Sequence, residues 1–234
     1  MRLDKFVCKS TALSREGATD AIHKGAVSVN GEVVTNEKAQ VHENNTVTLS
    51  GETLRPRPFR YILMNKPAGT ICSNVDEVYP SLFNLIELDN TEELHIAGRL
   101  DADTTGLVLI TDDGHWSFNI TTPTKHCEKV YRVGLSRPLR DGVARQFEQG
   151  IQLQGENQLT LPAKLEIIGP QDVYLTITEG KFHQVKRMFS AVGNRVISLH
   201  RERIGNVALD VEVGHWRFLT DDEVASLATS SRHF

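Results

Sequence analysis

The sequence predicts an α+β protein in which a small N-terminal module precedes a larger domain built on a mixed, mainly antiparallel sheet. The first 54 residues have the pattern of two helices and a hairpin, and strand-like and helical runs alternate from residue 61 onward. Between them, residues 55–60 carry two prolines and three arginines. Because proline restricts its own backbone and that of its neighbour, we expect an extended linker at 55–60, between domains at 1–54 and 61–234.

Two short helices are predicted at the start of the N-terminal module. Leu3, Phe6 and Val7 follow helical spacing. Ser14 is a suitable N-cap for a second helix, because its hydroxyl can accept a hydrogen bond from the first turn. Gly25 is a suitable residue to end that helix.

A hairpin is predicted next. Two valine-bearing runs, at 27–29 and 32–34, flank the dipeptide Asn30-Gly31, which favours the tight turn between antiparallel strands. A further strand is expected at 46–49. The second half of the module is therefore expected to consist of strands.

The larger domain shows the same two patterns in alternation. Strands are expected at residues 61–64, 107–111, 130–135, 161–168 and 173–178. Helices are expected around Ser117 and at residues 139–149, 183–192 and 221–227. This order predicts the mainly antiparallel sheet.

The bulk composition is that of a globular protein, with 39% hydrophobic and 24% charged residues among 234. No run approaches the ~20 apolar residues that a membrane span needs, and the N-terminus has no apolar core typical of a signal peptide. We therefore expect a cytoplasmic protein with no membrane partner. The three cysteines, Cys8, Cys72 and Cys127, form no CxxC pair, so we expect reduced thiols and no zinc site.

Net charge is −4, which taken alone argues against a nucleic-acid partner. The charges are unevenly distributed along the chain. Residues 181–203 carry six basic residues and one acid, and residues 125–145 carry six basic residues and two acids. A basic face on an acidic protein can bind phosphates, because fields are local over a Debye length of ~10 Å. Ordinary solvated faces explain the same counts equally well.

Residues 98–107 (GRLDADTTGL) form the most unusual segment, a loop rich in Gly, Asp and Thr that leads into a strand. Such a loop is typical of a solvated turn, but it can also hold a carboxylate at the edge of a cleft. One chemical interpretation is the DxDxT pattern of Asp101, Asp103 and Thr105, which resembles magnesium-dependent phosphatases. That pattern requires an apolar parallel strand before Asp101, and residues 95–100 (HIAGRL) are interrupted by Gly and Arg.

The other interpretation accounts for more of the chain, because residues 98–107 resemble the signature loop of pseudouridine synthases. Further resemblances follow in the order of that family, and together they cover most of the larger domain. They are residues 64–69 (MNKPAG), 127–131 (CEKVY), 179–189 (EGKFHQVKRMF) and 199–205 (LHRERIG). The N-terminal module resembles the S4 RNA-binding domain, which indicates the RsuA-type branch of the family.

The resemblance implies a set of roles in the larger domain. Asp101, rather than Asp103, is the expected catalytic residue, and no metal or other cofactor is expected. Tyr131 is expected to stack on the uracil and to help remove its carbon-5 proton. Lys186 is expected to pair with Asp101 and keep it ionised. Whether Asp101 attacks the sugar, attacks the base or removes a sugar proton stays open at this point.

The resemblance also implies substrate contacts. We expect Arg99 to hold phosphate or enter the space left by the flipped base, Leu199 to pack in the site, and His183 and His200 to make RNA or packing contacts. Further phosphate contacts are expected from basic residues of both domains, namely Arg2, Lys5, Lys9, Arg15, Lys24 and Arg187.

The implied function is isomerisation of one uridine in small-subunit (16S) ribosomal RNA, either naked or in an assembly intermediate, by a protein expected to be a monomer. The alternatives are a non-catalytic S4-type RNA-binding or ribosome-assembly protein and the magnesium-dependent phosphatase. The first alternative differs from the enzyme in whether Asp101, Tyr131 and Lys186 converge in a cleft.

Overall fold

A computed structural model describes residues 1–228 of the chain. It divides into two compact units, Met1–Phe59 and the chain from Arg60 onward. Each hydrophobic cluster of the described residues draws its members from one unit only. The domain limits 1–54 and 61–234 remain a prediction for solution experiments.

The N-terminal unit contains the helices α1 (Leu3–Ser10) and α2 (Arg15–His23) and the strands β1 (Val27–Val29), β2 (Glu32–Val33), β3 (Val47–Leu49) and β4 (Glu52–Thr53). The helices pack on the sheet, which is antiparallel and has the order β2-β1-β3-β4. Ser14 caps the second helix, where its Oγ accepts a hydrogen bond from Gly17 N at 3.2 Å. Asn30 and Gly31 have φ values of 54° and 86°, the left-handed conformations that a tight hairpin turn needs.

Residues 55–59, within the expected linker, have no regular secondary structure and pack on α1. Arg57 N donates to the Lys9 carbonyl at 2.8 Å. The Lys9 ammonium lies 3.2 Å from the centroid of the Phe59 ring, a cation–π contact. Lys9 is buried by this packing, so it is not exposed for the phosphate contact expected of it.

The larger unit contains a nine-stranded sheet within the described residues. Its strands are β5 (Tyr61–Lys66), β6 (His95–Ala97), β7 (Thr105–Thr111), β8 (Lys129–Leu135), β9 (Lys164–Ile167), β10 (Asp172–Ile177), β11 (Val196–Ile204), β12 (Val207–Ala208) and β13 (Trp216–Phe218). Its helices are α3 (Gly114–Thr121), α4 (Val143–Gln149), α5 (Gln184–Ala191) and α6 (Asp221–Ala228).

The strand order is β13-β5-β7-β11-β8-β10-β9, with β6 paired to β7 and β12 to β11. Only the β7–β11 pair is parallel among the pairs of the described sheet. The predicted α+β class with a mixed, mainly antiparallel sheet is therefore confirmed.

The sheet separates two hydrophobic clusters, because successive residues of a strand point to opposite faces. On β7, Val108 and Ile110 join the cluster that includes Phe147 of α4, while Leu109 joins the cluster that includes Trp116 of α3. Burial on both sides explains the continuous apolar run of β7. No helix within residues 1–228 is long and apolar enough to cross a membrane.

Two predicted elements begin three or four residues later than expected, in each case after a residue that resists the regular conformation. The strand expected from residue 161 begins at Lys164, since Pro162 cannot donate to a ladder. The helix expected from residue 139 begins at Val143, directly after Gly142 with a φ of 86°.

Candidate active site

The loop between β6 and β7 carries Asp101, and buried groups hold it in place. The Lys66 ammonium is fully buried and donates to the carbonyls of Ala102 at 3.3 Å and Thr104 at 2.9 Å. Gly69 N also donates to the Ala102 carbonyl, at 2.8 Å. Burial lowers the pKa of Lys66. These contacts fix the loop on the end of β5, so Asp101 sits on a rigid support.

Lys186, in the first turn of α5, bridges the two carboxylates of this loop. Its Nζ donates to Asp101 Oδ2 at 3.0 Å and to Asp103 Oδ1 at 2.7 Å. Burial acts to lower the pKa of Lys186, but the two carboxylates outweigh it and raise the pKa above its usual value. The hydrogen bond from Lys186 lowers the pKa of Asp103. Lys186 is therefore a stable cation beside Asp101.

His183 approaches the other oxygen of Asp101. Its Nε2 lies 3.4 Å from Asp101 Oδ1. The imidazole stacks on the Phe182 ring, with centroids 3.8 Å apart and planes at 21°. Both oxygens of Asp101 thus have a nitrogen neighbour.

Tyr131 lies on β8 directly opposite Arg201 of β11. The Tyr131 hydroxyl accepts a hydrogen bond from Arg201 Nη1 at 3.2 Å. Arg201 also donates from Nη2 to the Gly98 carbonyl at 2.6 Å and from Nε to the Leu107 carbonyl at 2.7 Å. One guanidinium thus ties Tyr131 to both ends of the loop that carries Asp101.

Arg201 is 1% exposed, and a buried cation requires partners. Its partners here are carbonyl and hydroxyl oxygens, so its positive charge is not neutralised by a carboxylate. The backbone of β7 approaches it closely at Gly106, whose φ is +106° and where a Cβ atom would lie 2.3 Å from the Arg201 carbonyl oxygen. Only glycine fits at that position.

One cleft of about 660 Å³ is lined by Asp101, Tyr131, His183, Lys186 and Arg201. Among the described residues that line it, five carry a cationic group and only Asp101 carries a carboxylate. The cationic residues are Arg99, Lys129, Lys181, Lys186 and Arg201. Burial lowers the pKa of Lys129, but the remaining cations still outnumber the acid. The cleft is therefore positive, although the whole protein carries a net charge of −4.

The structure brings together most of the residues that the sequence predicted for the larger domain. Asp101, Tyr131, Lys186, Arg99 and Leu199 all line the cleft. Arg187 does not. Its guanidinium is bound to Glu156 Oε1 at 3.1 Å and to the carbonyls of Phe182 and Gln154, so both of its terminal nitrogens are occupied within the protein.

The predicted contacts of the N-terminal unit have different surroundings. Arg2 is bound by the Asp4 carboxylate, with an Nη2–Oδ2 distance of 2.7 Å. Arg15 remains 74% exposed, with Asp4 3.7 Å away. Lys5 is half-buried on α1, and Lys24 is paired with Asp20. Of these basic side chains, Arg15 is the most accessible to a phosphate.

Sequence reasoning assigned no role to two residues that organise the site, Arg201 and Lys66. Each lies inside a recognised motif, but most of its partners are main-chain carbonyls, which no local sequence pattern indicates. Alternation within 199–205 was the available signal, because Leu199 and Arg201 share a strand face.

The phosphatase pattern does not match the local fold. It requires a carboxylate at the end of an apolar parallel strand, whereas β6 is three residues long and antiparallel to β7. Within residues 1–228, no group of three or more His, Cys, Asp or Glu side chains is placed to hold a metal ion.

Comparisons with known proteins agree with this geometry. A family model described as RNA pseudouridylate synthase matches residues 60–191, and the S4 domain model matches residues 1–47. The chain is 49% identical over 229 residues to the ribosomal small subunit pseudouridine synthase A of Vibrio cholerae, covering 97% of this chain and 99% of the relative. It is 48% identical over 230 residues to the protein of that name in Escherichia coli, covering 97% and 100%. A crystal structure of a pseudouridylate synthase matches with a TM-score of 0.71 and 46% identity, covering 97% of this chain and 99% of the other.

Proposed function

The chain belongs to the RNA pseudouridylate synthase family, and on that basis we propose that it converts a uridine of small-subunit ribosomal RNA to pseudouridine, with Asp101 as the catalytic carboxylate. The observation that carries this proposal is the convergence of Asp101, Lys186 and Tyr131 in one positive cleft. A protein that only bound RNA would have no need for a carboxylate paired with a lysine inside that cleft. We expect it to act as a monomer in the cytoplasm.

The reaction is an isomerisation that breaks the glycosidic bond of uridine, turns the uracil and rejoins it through carbon 5. No atom is gained or lost, so the chemistry requires no external group. A carboxylate suits this task, as it does in glycoside hydrolysis, because it can attack or stabilise the sugar carbon that loses the base. Asp101 is the carboxylate that faces the cleft.

Lys186 offsets the negative charge of Asp101 and fixes its orientation through Oδ2. Tyr131 offers a ring face for the uracil, and its hydroxyl is held by Arg201. That hydrogen bond fixes the position of the hydroxyl, which is a suitable group to help remove the proton from carbon 5 of the base.

The positive charge of the cleft favours the binding of RNA. A uridine within structured RNA must leave its stack before it can reach Asp101, at a cost of a few kcal/mol. Phosphates on either side of the extruded nucleotide meet a cleft whose cations outnumber its acid. Exposed Arg99 is placed to contact one of them.

The test compares pseudouridines mapped in ribosomal RNA from cells that contain or lack this protein. One position in small-subunit RNA should lose its modification in the deletion strain, and wild-type protein should restore it. Asp101→Asn should not restore it, because the amide keeps the shape of the side chain but removes the charge.

Asp103→Asn is the matched control, since Asp103 shares Lys186 but does not line the cleft. It should restore most of the modification, and activity in vitro should persist in excess EDTA. Equal loss with both asparagine variants, or a requirement for magnesium, would count against the assignment of Asp101. An unchanged modification pattern in the deletion strain would refute the proposed activity.

A further inference from the structure

Phe182 is unusually exposed for an aromatic side chain in a cleft. It is 76% exposed, although one face of its ring is covered by the His183 imidazole 3.8 Å away. A ring covered on one face and still so exposed must present its other face to solvent. Both residues line the cleft that contains Asp101.

The ring pair is held in place by the backbone around it. His183 has a φ of 47° immediately before α5, and its carbonyl accepts a hydrogen bond from Arg187 N at 3.0 Å. The Arg187 guanidinium donates to the Phe182 carbonyl at 2.9 Å and is itself bound by Glu156. Arg187 therefore supports the segment that carries Phe182. A surface held this way loses little conformational entropy when a ligand binds to it.

We propose that the open face of Phe182 is a stacking site for a second nucleobase, the one next to the target uridine in the RNA chain. This inference rests on the proposed function. Extrusion of the uridine leaves the face of its neighbour uncovered, and an aromatic ring replaces the missing stacking partner irrespective of base identity. The stacking site is the face of the Phe182 ring opposite His183, and His183 Nε2 lies 3.4 Å from Asp101 Oδ1.

The surrounding charge favours a nucleotide over a purely apolar ligand. Lys181 and Lys186 lie on either side of Phe182 in the sequence, and both line the same cleft. Lys181 is paired with Glu156, and Lys186 with Asp101 and Asp103. Exposed Arg99 of the same cleft is therefore the cation best placed to meet a phosphate while the ring meets a base. This combination of stacking ring and flanking cations is how proteins hold single-stranded nucleic acid.

The test replaces Phe182 in the full-length protein and measures KM and kcat for pseudouridine formation. Phe182→Ala and Phe182→Leu should each raise KM roughly 5- to 150-fold, the effect of losing one base–aromatic stack. Phe182→Trp should stay within a few-fold of wild type, because it keeps the π-face. At saturating RNA, kcat of each variant should stay within a few-fold of the wild-type value, because the site binds a base that does not react.

Phe118→Ala is the matched control. Phe118 is also an exposed aromatic residue of the larger unit, at 55%, but it lies on α3 and does not line the cleft. Its removal should leave KM unchanged. Thermal unfolding of each variant checks that the fold is intact.

The RNA side identifies the occupant. Two substrates are made in which the base on the 5′ or the 3′ side of the target uridine is replaced by hydrogen. With one of them the difference between wild type and Phe182→Ala should disappear, since there is no base left to stack. Persistence of the full difference with both substrates overturns the proposal, as does a Phe182→Ala variant with unchanged KM or a Phe182→Leu variant equal to Phe182→Trp. Formation of pseudouridine by the wild-type protein is a separate measurement, so a failure of the proposed function is recognised independently.

Discussion

Lys186 places one ammonium group between two carboxylates of the same loop. Its side chain is 28% exposed and that of Asp101 is 31% exposed, so solvent screens the pair only in part. Asp103 is 73% exposed and contributes less to the local field. The value of Lys186 therefore lies in its contact with Asp101, where a partly dry cleft strengthens the interaction.

We expect Lys186→Met to lower kcat by roughly 100-fold or more, the scale seen when a preorganised charge is removed from an active site. The methionine keeps the length of the side chain but leaves Asp101 without its cation. Lys186→Arg should recover much of the loss, since it keeps the charge. Tritium release from RNA labelled at carbon 5 of uridine measures the rate. A fully active Lys186→Met protein would show that Asp101 needs no cation.

Individual site residues can be predicted from the sequence where they lie in its motifs. Asp101 and Lys186 are 85 positions apart, yet both could be named, because each stands at a fixed place in a recognisable segment. The role of Arg201 could not be predicted, since it depends on the main-chain carbonyls of Gly98 and Leu107. A residue of any type would supply the same carbonyl. Geometry of this kind is a property of the folded chain.

The last described helix, α6, begins with a reciprocal cap. Thr220 N donates to Glu223 Oε2 at 2.9 Å, and Glu223 N donates to Thr220 Oγ1 at 3.2 Å, the arrangement of a capping box. The same carboxylate is bound by Arg217 of β13, with an Nη2–Oε1 distance of 2.7 Å. The hydrogen bond from Arg217 is the main cause that lowers the pKa of Glu223 to about 2.

This shift predicts how stability depends on pH. A lowered carboxyl pKa stabilises the folded state fully above the unfolded pKa of 4.5, and the effect is lost as pH falls through the folded value of about 2. The full shift corresponds to about 3 kcal/mol, which we reduce to ~1–2 kcal/mol because Glu223 is 22% exposed.

Glu223→Gln should therefore lower the free energy of unfolding by ~1–2 kcal/mol at pH 7 and by almost nothing near pH 2. Urea unfolding at a series of pH values measures the difference. Asp222→Asn, one position earlier and exposed, is the control and should show a smaller effect. If Glu223→Gln lowers the free energy of unfolding by the same amount at pH 7 and at pH 2, the stabilisation comes from the hydrogen-bond geometry of Glu223 and not from its charge.

A strand or helix can be predicted from the sequence where a local sequence feature alone determines it. The hairpin of β1 and β2 follows from Asn30-Gly31, and no distant contact is needed to form that turn. β11 was not apparent from periodicity, because residues 200–203 (HRER) are all polar or charged. It forms a strand because β8 and β7 pair with it on both sides and Arg201 finds buried partners there. Tertiary context overrides composition in that case.

At the scale of the whole molecule, charge is unevenly distributed. Basic groups gather in the cleft of a protein that is acidic overall, so its attraction for RNA is local and sensitive to salt. The N-terminal unit offers a second set of cations, which includes Arg15 at 74% exposure. Binding by two units of one chain gains from effective concentration, because the second contact is intramolecular.

The larger unit should fold without the first. It has its own clusters of hydrophobic residues, and Arg60 at its start is tied to it through the Asp112 carboxylate at 3.1 Å. A protein beginning at Arg60 should therefore unfold cooperatively. Limited proteolysis of the full chain should produce a similar fragment, with cleavage near residues 55–60. Cleavage confined to the extreme termini would argue against separate domains.

That shortened protein should bind RNA more weakly than the full chain, and its binding should depend less steeply on salt. Each phosphate that residues 1–59 neutralise should add about 0.7 to 0.9 to the steepness of log K against log salt, and the shortened protein lacks that share. The rate of isomerisation at saturating RNA should change only a few-fold, because Asp101, Tyr131 and Lys186 all lie in the retained unit. Arg15→Gln in the full chain should move affinity and slope in the same direction by a smaller amount. Equal affinity and equal slope for the full and shortened proteins would mean that the N-terminal unit does not touch the RNA.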